Sequence, residues 1–259
     1  MNEPHARITV AIRQTTAAGR TALVPYITAG YPRKDQFIAT LKAIAREANV
    51  VEVGVPFSDP MADGVTIQRA SHAAIAAGVS LRWILQELAA AAPFDAPIVL
   101  MSYLNPLLNL GYRELARASV PAGVCGFIVP DLPIEESADL AAALNAEGLA
   151  LIQLVTPATP AERLKRLCGA SQGFVYAVTV LGITGGAKEL PAGVTDYLDR
   201  VRALTTLPVC AGFGVRRAEQ VASLAPHTDG VVVGSALVEQ LEAGADPVAF
   251  LRGLRPSNP

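Results

Sequence analysis

The chain has 259 residues, of which 51% are hydrophobic and 17% are charged, and its net charge at pH 7 is -2. This composition supplies a large core and excludes an intrinsically disordered chain. The near-zero net charge disfavours a nucleic-acid-binding protein, and no run of about 18 apolar residues predicts a membrane span. The N-terminal residues lack the apolar core of a signal peptide, so we expect a cytoplasmic protein without nucleic-acid or membrane partners.

The three cysteines, Cys125, Cys168 and Cys210, are far apart in the sequence and follow no metal-ligand spacing. Two of them lie in or beside apolar runs that are typical of strands. We therefore expect buried thiols in a reducing compartment, and no disulfide framework.

The hydrophobic pattern predicts strands and helices that alternate along the chain. A helix over residues 7–18 comes first and ends at Gly19. The predicted strands are residues 21–28, a run that begins at residue 50, and residues 97–102, 123–129, 149–155, 173–180, 207–211 and 229–233. The predicted helices are residues 35–49 with Asp35 as cap, one starting near Thr66, one capped by Ser80, and residues 111–119, 135–147, 161–168, 194–204, 217–224 and 236–242.

Eight strand-then-helix units, most of them about 25 residues long, have the order and scale of a (β/α)8 barrel. A doubly wound open sheet is the alternative, but no G-x-G-x-x-G follows the first strand and the eight units fill the length. No shift in composition marks a second domain. The sequence thus predicts an α/β fold, a single TIM barrel over residues 1–259 with an extra N-terminal helix.

Two acidic residues stand out near the second strand. Glu52 lies inside the apolar run Val50–Val55, where an ionised side chain is costly, and Asp63 lies on the loop that follows. A buried acid at a strand end with an acid on the next loop is a candidate general acid/base pair. The alternative is that Glu52 belongs to a structural ion pair and Asp63 caps the following helix.

Three glycine-bearing loops follow the last three predicted strands. They are residues 182–186, residues 212–214 and Gly234 with Ser235. Glycines let backbone N–H groups approach an anion, and the loops after the last two strands are the usual phosphate site of such barrels. We therefore expect a phosphorylated ligand.

The lysines and histidines of the sequence narrow the choice of reaction mechanism. None of the four lysines lies in a strand, where a Schiff-base lysine is expected, and the three histidines form no recognisable metal cluster. A cofactor-free and metal-free acid/base reaction on a small phosphate ester fits best. Phe213 with Tyr26, Ile67 and Met101 could line an apolar slot for a flat ring.

Two further features have alternative interpretations. Tyr176 could donate a hydrogen bond in the pocket or could simply pack as a strand aromatic. The glycine-rich segment 181–193 could be a lid that excludes water or a disordered connector.

Several stretches closely resemble the α subunit of tryptophan synthase, from about residue 7 to about residue 251. They are LVPYITAG (23–30), EVGVPFSDPMADG (52–64) with Thr66, Ile67 and Gln68, VPDLPIEES (129–137), GITG (182–185), AGFGV (211–215) and VVVGSALV (231–238). That family cleaves indole-3-glycerol phosphate to indole and glyceraldehyde 3-phosphate. Its α subunit holds no cofactor and passes indole to a β subunit that carries pyridoxal phosphate.

The resemblance implies a role for each matching residue. Glu52 would protonate indole C3 and take the proton of the glycerol hydroxyl, and Asp63 would stabilise the charge on the indole N–H. The phosphate would lie on Gly185, Gly214, Gly234 and Ser235, with Thr184 against Asp63 in the closed loop. Residues 56–59, Asn105 and residues 131–133 would face the β subunit in an α2β2 assembly.

Three other functions compete with this interpretation. A free-standing indole-3-glycerol-phosphate lyase, which releases indole without a β subunit, would share every catalytic residue. The retained segments 56–60 and 129–137 favour the complex over this lyase. A sugar-phosphate isomerase is disfavoured by the Glu52–Asp63 spacing, and a non-catalytic binding barrel by the intact acids.

Overall fold

The computed structural model describes residues 3–179, 193–212 and 214–255. Within these ranges the chain forms one sheet of nine strands, all paired in parallel, with helices around it. The strands are β1 (Ala22–Thr28), β2 (Val51–Gly54), β3 (Ile98–Met101), β4 (Val124–Ile128), β5 (Ala150–Ile152), β6 (Leu154–Val155), β7 (Val175–Val178), β8 (Val209–Gly212) and β9 (Gly230–Val233).

One or two helices follow every strand except β5, which leads directly into β6. The helices are α1 (Pro4–Ala17), α2 (Phe37–Ala45), α3 (Val65–Ala76), α4 (Leu81–Ala91), α5 (Leu104–Leu110), α6 (Tyr112–Ser119), α7 (Ala138–Asn145), α8 (Ala161–Ala170), α9 (Val194–Ala203), α10 (Ala218–Leu224), α11 (Ser235–Glu242) and α12 (Pro247–Gly253). Short 3-10 turns at Lys34–Gln36 and Ile134–Glu136 precede α2 and α7.

The sheet curls into a nearly closed barrel. Its strand order is β5-β4-β3-β2-β1-β9-β8-β7-β6, and Gln153 alone separates β5 from β6 in the chain. The backbone N–H of Gln153 donates to the Ser171 hydroxyl, which interrupts the ladder, while its carbonyl accepts from the Tyr176 N–H. The predicted fifth strand, residues 149–155, is therefore one strand broken at a single residue, and the predicted barrel is confirmed.

Burial on both faces explains why these segments are strands. All seven residues of β1 are buried, which is typical of a parallel strand covered on both sides. In β2, Val51 and Val53 pack outward in the larger core under the helices. Inside the barrel, Val24 and Val232 belong to a second core.

Helix α1 covers the amino-terminal end of the barrel. Its Ile8 and Ile12 are fully buried in the inner core, and the Thr9 hydroxyl donates to the Gly173 carbonyl just before β7 at 2.7 Å. The extra N-terminal helix was predicted, and it leaves the opposite end of the barrel open.

Some local predictions were wrong. Asp35 does not cap α2, because it lies in the 3-10 turn and its carboxylate pairs with Arg33 at 2.6 Å. Helices α5 and α12 were not predicted. The predicted cap at Ser80 is confirmed, and its hydroxyl accepts from the Trp83 N–H. All three cysteines are buried and free, as expected.

None of the helices in the described part of the chain is long and apolar enough to cross a membrane by itself. Helices α3 and α4, bent by 85° to each other, meet the criterion as a pair on length and composition alone.

Candidate active site

A pocket of about 420 Å³ opens at the carboxyl ends of the strands. Active sites of (β/α)8 barrels lie at this end. The pocket is lined by Tyr26, Glu52, Ala62, Asp63, Gly64, Ile67, Met101, Pro130, Leu154, Thr156, Tyr176, Val178, Gly212, Gly214, Val232, Gly234 and Ser235. Every predicted site residue in the described ranges is in this set. The predicted Thr184, Gly185 and Phe213 lie outside the described residues.

Glu52 is the buried acid of the pocket. It lies in β2 between Tyr26 of β1 and Val99 of β3, and it is only 1% exposed. Its Oε2 has no hydrogen-bond partner and no cation pairs with it among residues 3–179, 193–212 and 214–255, so the ion-pair alternative was wrong for this part of the chain. Burial, helped by the negative charge of Asp63, raises the pKa of Glu52 to about 8. At neutral pH the carboxyl is mostly protonated.

Asp63 is the second acid, on the loop between β2 and α3. The cap of α3 is Gly64, without a side-chain hydrogen bond, so the alternative role of Asp63 as a helix cap was wrong. Its Oδ2 accepts a hydrogen bond of 3.1 Å from the Tyr103 hydroxyl. Burial raises the pKa of Asp63 to about 6 against the lowering effect of that hydrogen bond. At neutral pH Asp63 is mostly ionised, so the two acids differ in protonation state.

Tyr103 makes a contact with Asp63 that the sequence did not predict. It lies between β3 and α5, is buried, and its ring stacks on Phe57 with centroids 5.1 Å apart. Its hydroxyl accepts from the Ala62 N–H at 2.9 Å and donates to Asp63. Tyr103 therefore holds the loop that carries Asp63. Its position at the end of a predicted strand was the one available signal.

Two tyrosines of the pocket wall depend on glycines in neighbouring strands. A Cβ at Gly54 would overlap the Tyr26 hydroxyl, and a Cβ at Gly212 would overlap the Tyr176 ring. Both glycines lie at the ends of their strands, beside the tyrosines of β1 and β7. The Tyr26 hydroxyl also hydrogen-bonds Thr28 at 3.3 Å. Burial raises the pKa of both tyrosines, so they stay neutral and can donate hydrogen bonds.

A different part of the pocket is made of backbone. Gly234 is the cap residue of α11, Ser235 is its first residue, and Gly214 follows β8. Among the described residues, a Cβ at Gly214 would meet nothing within 4 Å, and one at Gly234 would reach only the Tyr26 side chain, with its Cβ at 3.8 Å and its Cδ1 at 4.0 Å. N–H groups in the first turn of a helix have no partner within the helix and attract anions. This part of the pocket can hold a phosphate.

The remaining wall is apolar and includes side chains that were not predicted. Ile67 and Met101 were expected there. Leu154, Val178 and Val232 join them because they lie on β6, β7 and β9, strands whose alternate residues face the barrel interior. The wall can bind a flat apolar ring beside the two acids.

The described part of the chain contains no group of three or more His, Cys, Asp or Glu side chains placed to hold a metal ion. His72 lies exposed on α3, and its Nε2 is 3.0 Å from the Ser58 carbonyl oxygen.

Relatives of known sequence match the chain over nearly its full length. The family model described as tryptophan synthase alpha chain matches residues 12–251. A protein of that name from Nitratidesulfovibrio vulgaris strain DP4 is 45% identical over 249 residues, which cover 95% of this chain and 97% of that protein. Another from Halorhodospira halophila is 47% identical over 246 residues, which cover 93% of this chain and 89% of that protein.

Solved structures give the same result. A structure of Mycobacterium tuberculosis tryptophan synthase superposes with a TM-score of 0.89 and 37% identity, over 96% of each chain. Tryptophan synthase subunit alpha from Legionella pneumophila strain Paris superposes with a TM-score of 0.85 and 35% identity, over 98% of this chain and 97% of that one. Because the family model and these relatives span almost the whole sequence, the chain belongs to the tryptophan synthase alpha chain family.

Proposed function

We propose that this chain cleaves indole-3-glycerol phosphate to indole and glyceraldehyde 3-phosphate, the carbon–carbon lyase step that precedes tryptophan formation. The observation that carries the proposal is the pairing of one neutral and one ionised carboxyl group in a pocket whose other part is lined by glycines at a helix start. A retro-aldol reaction on an indole phosphate ester needs these groups. Membership of the family supports the same reaction.

In the first step Glu52 acts as the acid. Its carboxyl group, protonated at neutral pH, gives its proton to indole C3, and the positive charge that forms is shared with the indole nitrogen. The ionised Asp63 accepts a hydrogen bond from the indole N–H and stabilises that charge. A protonated ring is then ready to accept the electrons of the breaking bond.

In the second step Glu52 acts as the base. Its carboxylate takes the proton of the hydroxyl group on the carbon bonded to indole C3. The carbon–carbon bond breaks, its electrons neutralise the ring, and the former alcohol becomes the aldehyde of glyceraldehyde 3-phosphate. Glu52 ends the reaction with its proton restored, so the step needs no other proton source.

The substrate would lie with its ring and its phosphate in different parts of the pocket. We assign the indole ring to Tyr26, Ile67, Met101, Tyr176 and Phe213. We assign the phosphate to the N–H groups around Gly185, Gly214, Gly234 and Ser235, with Thr184 in a closing segment. Thr184, Gly185 and Phe213 carry these roles by family resemblance alone, and the burial of Ser235, 8% exposed, supports its role at an anion site.

We also propose a β subunit as partner, in an α2β2 assembly in which the β subunit carries the pyridoxal phosphate and this chain holds no cofactor. Large apolar side chains are exposed near the carboxyl ends of β2 and β3, with Met61 81% and Leu108 52% exposed. Asn105, in the first turn of α5, and Asp131, after β4, are both exposed, and the Asp131 carboxylate accepts from the Leu104 N–H at 2.9 Å. Exposed large apolar side chains together with exposed polar ones are typical of a protein interface.

The test is indole release from indole-3-glycerol phosphate, measured for the purified chain alone and with the β subunit of the same organism. We expect slow release by the chain alone and a gain of about tenfold or more on mixing, within the usual range of coupling between sites. Fast release without a gain would identify a free-standing lyase, which the family comparisons do not favour. No release in either case would contradict the proposal.

A further inference from the structure

Glu239 lies on α11, one helical turn after Ser235, and outside the pocket lining. Its side chain is 34% exposed and accepts two hydrogen bonds from the Arg216 guanidinium, at 2.6 and 3.0 Å. The same carboxylate accepts a bond of 3.2 Å from the Thr66 hydroxyl. The hydrogen bonds from Arg216 hold the pKa of Glu239 below its usual range, so the group is ionised at neutral pH.

The partners of Glu239 come from two other segments that line the pocket. Thr66 is in the first turn of α3, three residues after Asp63 and next to Ile67, and it is only 6% exposed. Arg216 is two residues after Gly214. One carboxylate thus joins the segment with the ionised acid, the loop with Gly214, and the helix that starts at Ser235.

A second set of polar contacts joins α3 and α11 one helical turn further along each helix. Arg69 of α3 donates to both carboxylate oxygens of Glu242 of α11, at 2.7 and 2.6 Å. The Tyr31 hydroxyl, beyond the end of β1, donates to Glu242 at 2.6 Å. Bidentate pairs between arginine and carboxylate fix orientation as well as distance. The relative position of α3 and α11 is therefore held at two successive turns.

We propose that Glu239, held by Arg216 and Thr66, is a positioning residue that sets the distance and angle between the acid part and the phosphate part of the pocket. This inference rests on the proposed function, because only a substrate that reaches both parts depends on their relative position. A ligand that occupies the phosphate part alone does not. Loss of Glu239 should therefore impair cleavage of the whole substrate more than it impairs the binding of a fragment.

The experiment compares Glu239→Ala, Glu239→Gln and the wild type, as full chains with saturating β subunit. The kcat and KM for indole-3-glycerol phosphate are measured together with the inhibition constant of glycerol 3-phosphate, which carries the phosphate without the ring. For Glu239→Ala we expect kcat/KM to fall about 10- to 100-fold, the usual cost of a displaced reacting group. The inhibition constant should change less than about threefold, because the backbone donors remain. Glu239→Gln, which keeps an acceptor oxygen for Thr66 and Arg216, should recover part of the loss.

Glu47→Ala is the matched control. Glu47 also pairs with an arginine, Arg252, at 2.7 Å, but it lies before β2 at the opposite end of the barrel. The Glu47→Ala variant should keep kcat/KM near the wild-type value. Its melting temperature shows how much stability the loss of one ion pair costs.

Three results would overturn the proposal while leaving the proposed function intact. One is a kcat/KM for Glu239→Ala within about threefold of wild type, well below the cost of misplacement. Another is a rise in the inhibition constant of glycerol 3-phosphate as large as the fall in kcat/KM. That result would make Glu239 and Arg216 part of the phosphate site itself. The third is a melting temperature far below that of Glu47→Ala, with all constants affected alike. A wild-type chain that releases no indole would instead contradict the proposed function.

Discussion

The two parts of the pocket hold their ligand by different physical means. The acid part uses the side chains of Glu52 and Asp63, and burial raises both of their pKa values. The negative charge of Asp63 raises the pKa of Glu52 further, and the hydrogen bond from Tyr103 lowers that of Asp63. The phosphate part uses backbone at Gly214, Gly234 and Ser235, and none of these side chains is ionisable near neutral pH. Substitutions in the acid part should therefore change turnover, and substitutions in the phosphate part should change binding.

The largest effect is expected at the buried acid. Glu52→Gln keeps the size and burial of the side chain but can neither give nor take the proton. Turnover of indole-3-glycerol phosphate should fall by about two to four orders of magnitude, the scale of general acid/base catalysis, while KM changes little. Steady-state kinetics of the variant with the β subunit measures both constants. Turnover close to that of the wild type would remove Glu52 from the mechanism.

The stability of the same variant is its control. The pKa of Glu52 in the folded chain, about 8, is above its ordinary value of 4.5. The folded state therefore binds the Glu52 proton more tightly than the unfolded state, and the wild type loses stability as pH rises from about 4.5 to about 8. Glu52→Gln should lack this loss, so its melting temperature should exceed that of the wild type more at pH 9 than at pH 5. A reversed trend would show that the carboxyl is not buried in its neutral form.

A substitution in the phosphate part of the pocket should have a smaller effect, and this effect should be on substrate binding. Gly234→Asp places a negative charge beside the first turn of α11, so KM and the inhibition constant of glycerol 3-phosphate should rise about 10- to 100-fold through repulsion. Gly234→Ala is the matched control, since among the described residues its Cβ would make only ordinary contacts with Tyr26, at 3.8 and 4.0 Å. Unchanged affinity in Gly234→Asp would show that the phosphate binds elsewhere.

The smallest effect is expected at Tyr103, which acts through Asp63. Tyr103→Phe keeps the ring on Phe57 but removes the hydrogen bond to Asp63, so the pKa of Asp63 should rise further above about 6. The acidic limb of the profile of kcat against pH should move to higher pH, with at most about a tenfold loss at neutral pH. Tyr112→Phe on α6, outside the pocket, should leave the limb in place. An unmoved limb in Tyr103→Phe would show that this hydrogen bond does not tune Asp63.

Sequence alone predicted the parts of the molecule that follow a periodic or local pattern. The strands could be predicted because each is a short run of β-branched and apolar residues between glycines and prolines. Glu52 was recoverable because a carboxylate inside such a run is costly. Ser80 was recoverable as a cap because capping is a local interaction.

Features that depend on tertiary contacts were not predicted. The break at Gln153 arises because Ser171, far along the chain, takes its N–H. The hydrogen bonds between Tyr103 and Asp63 and between Thr66 and Glu239 join segments that only the folded barrel brings together. Organisation as one domain over residues 1–259 and a cytoplasmic location stay predictions, as do the roles of Thr184, Gly185 and Phe213.

The central claim is that Glu52 carries a proton at neutral pH while Asp63 does not. The most direct test is kcat/KM for indole-3-glycerol phosphate between pH 7 and pH 10, since this ratio reports the ionisation of the free enzyme. The substrate phosphate does not interfere, because its second pKa is about 6. We predict a fall above pH of about 8, tenfold for each further pH unit, as Glu52 loses its proton. A kcat/KM that stays level or rises up to pH 10 would contradict the account.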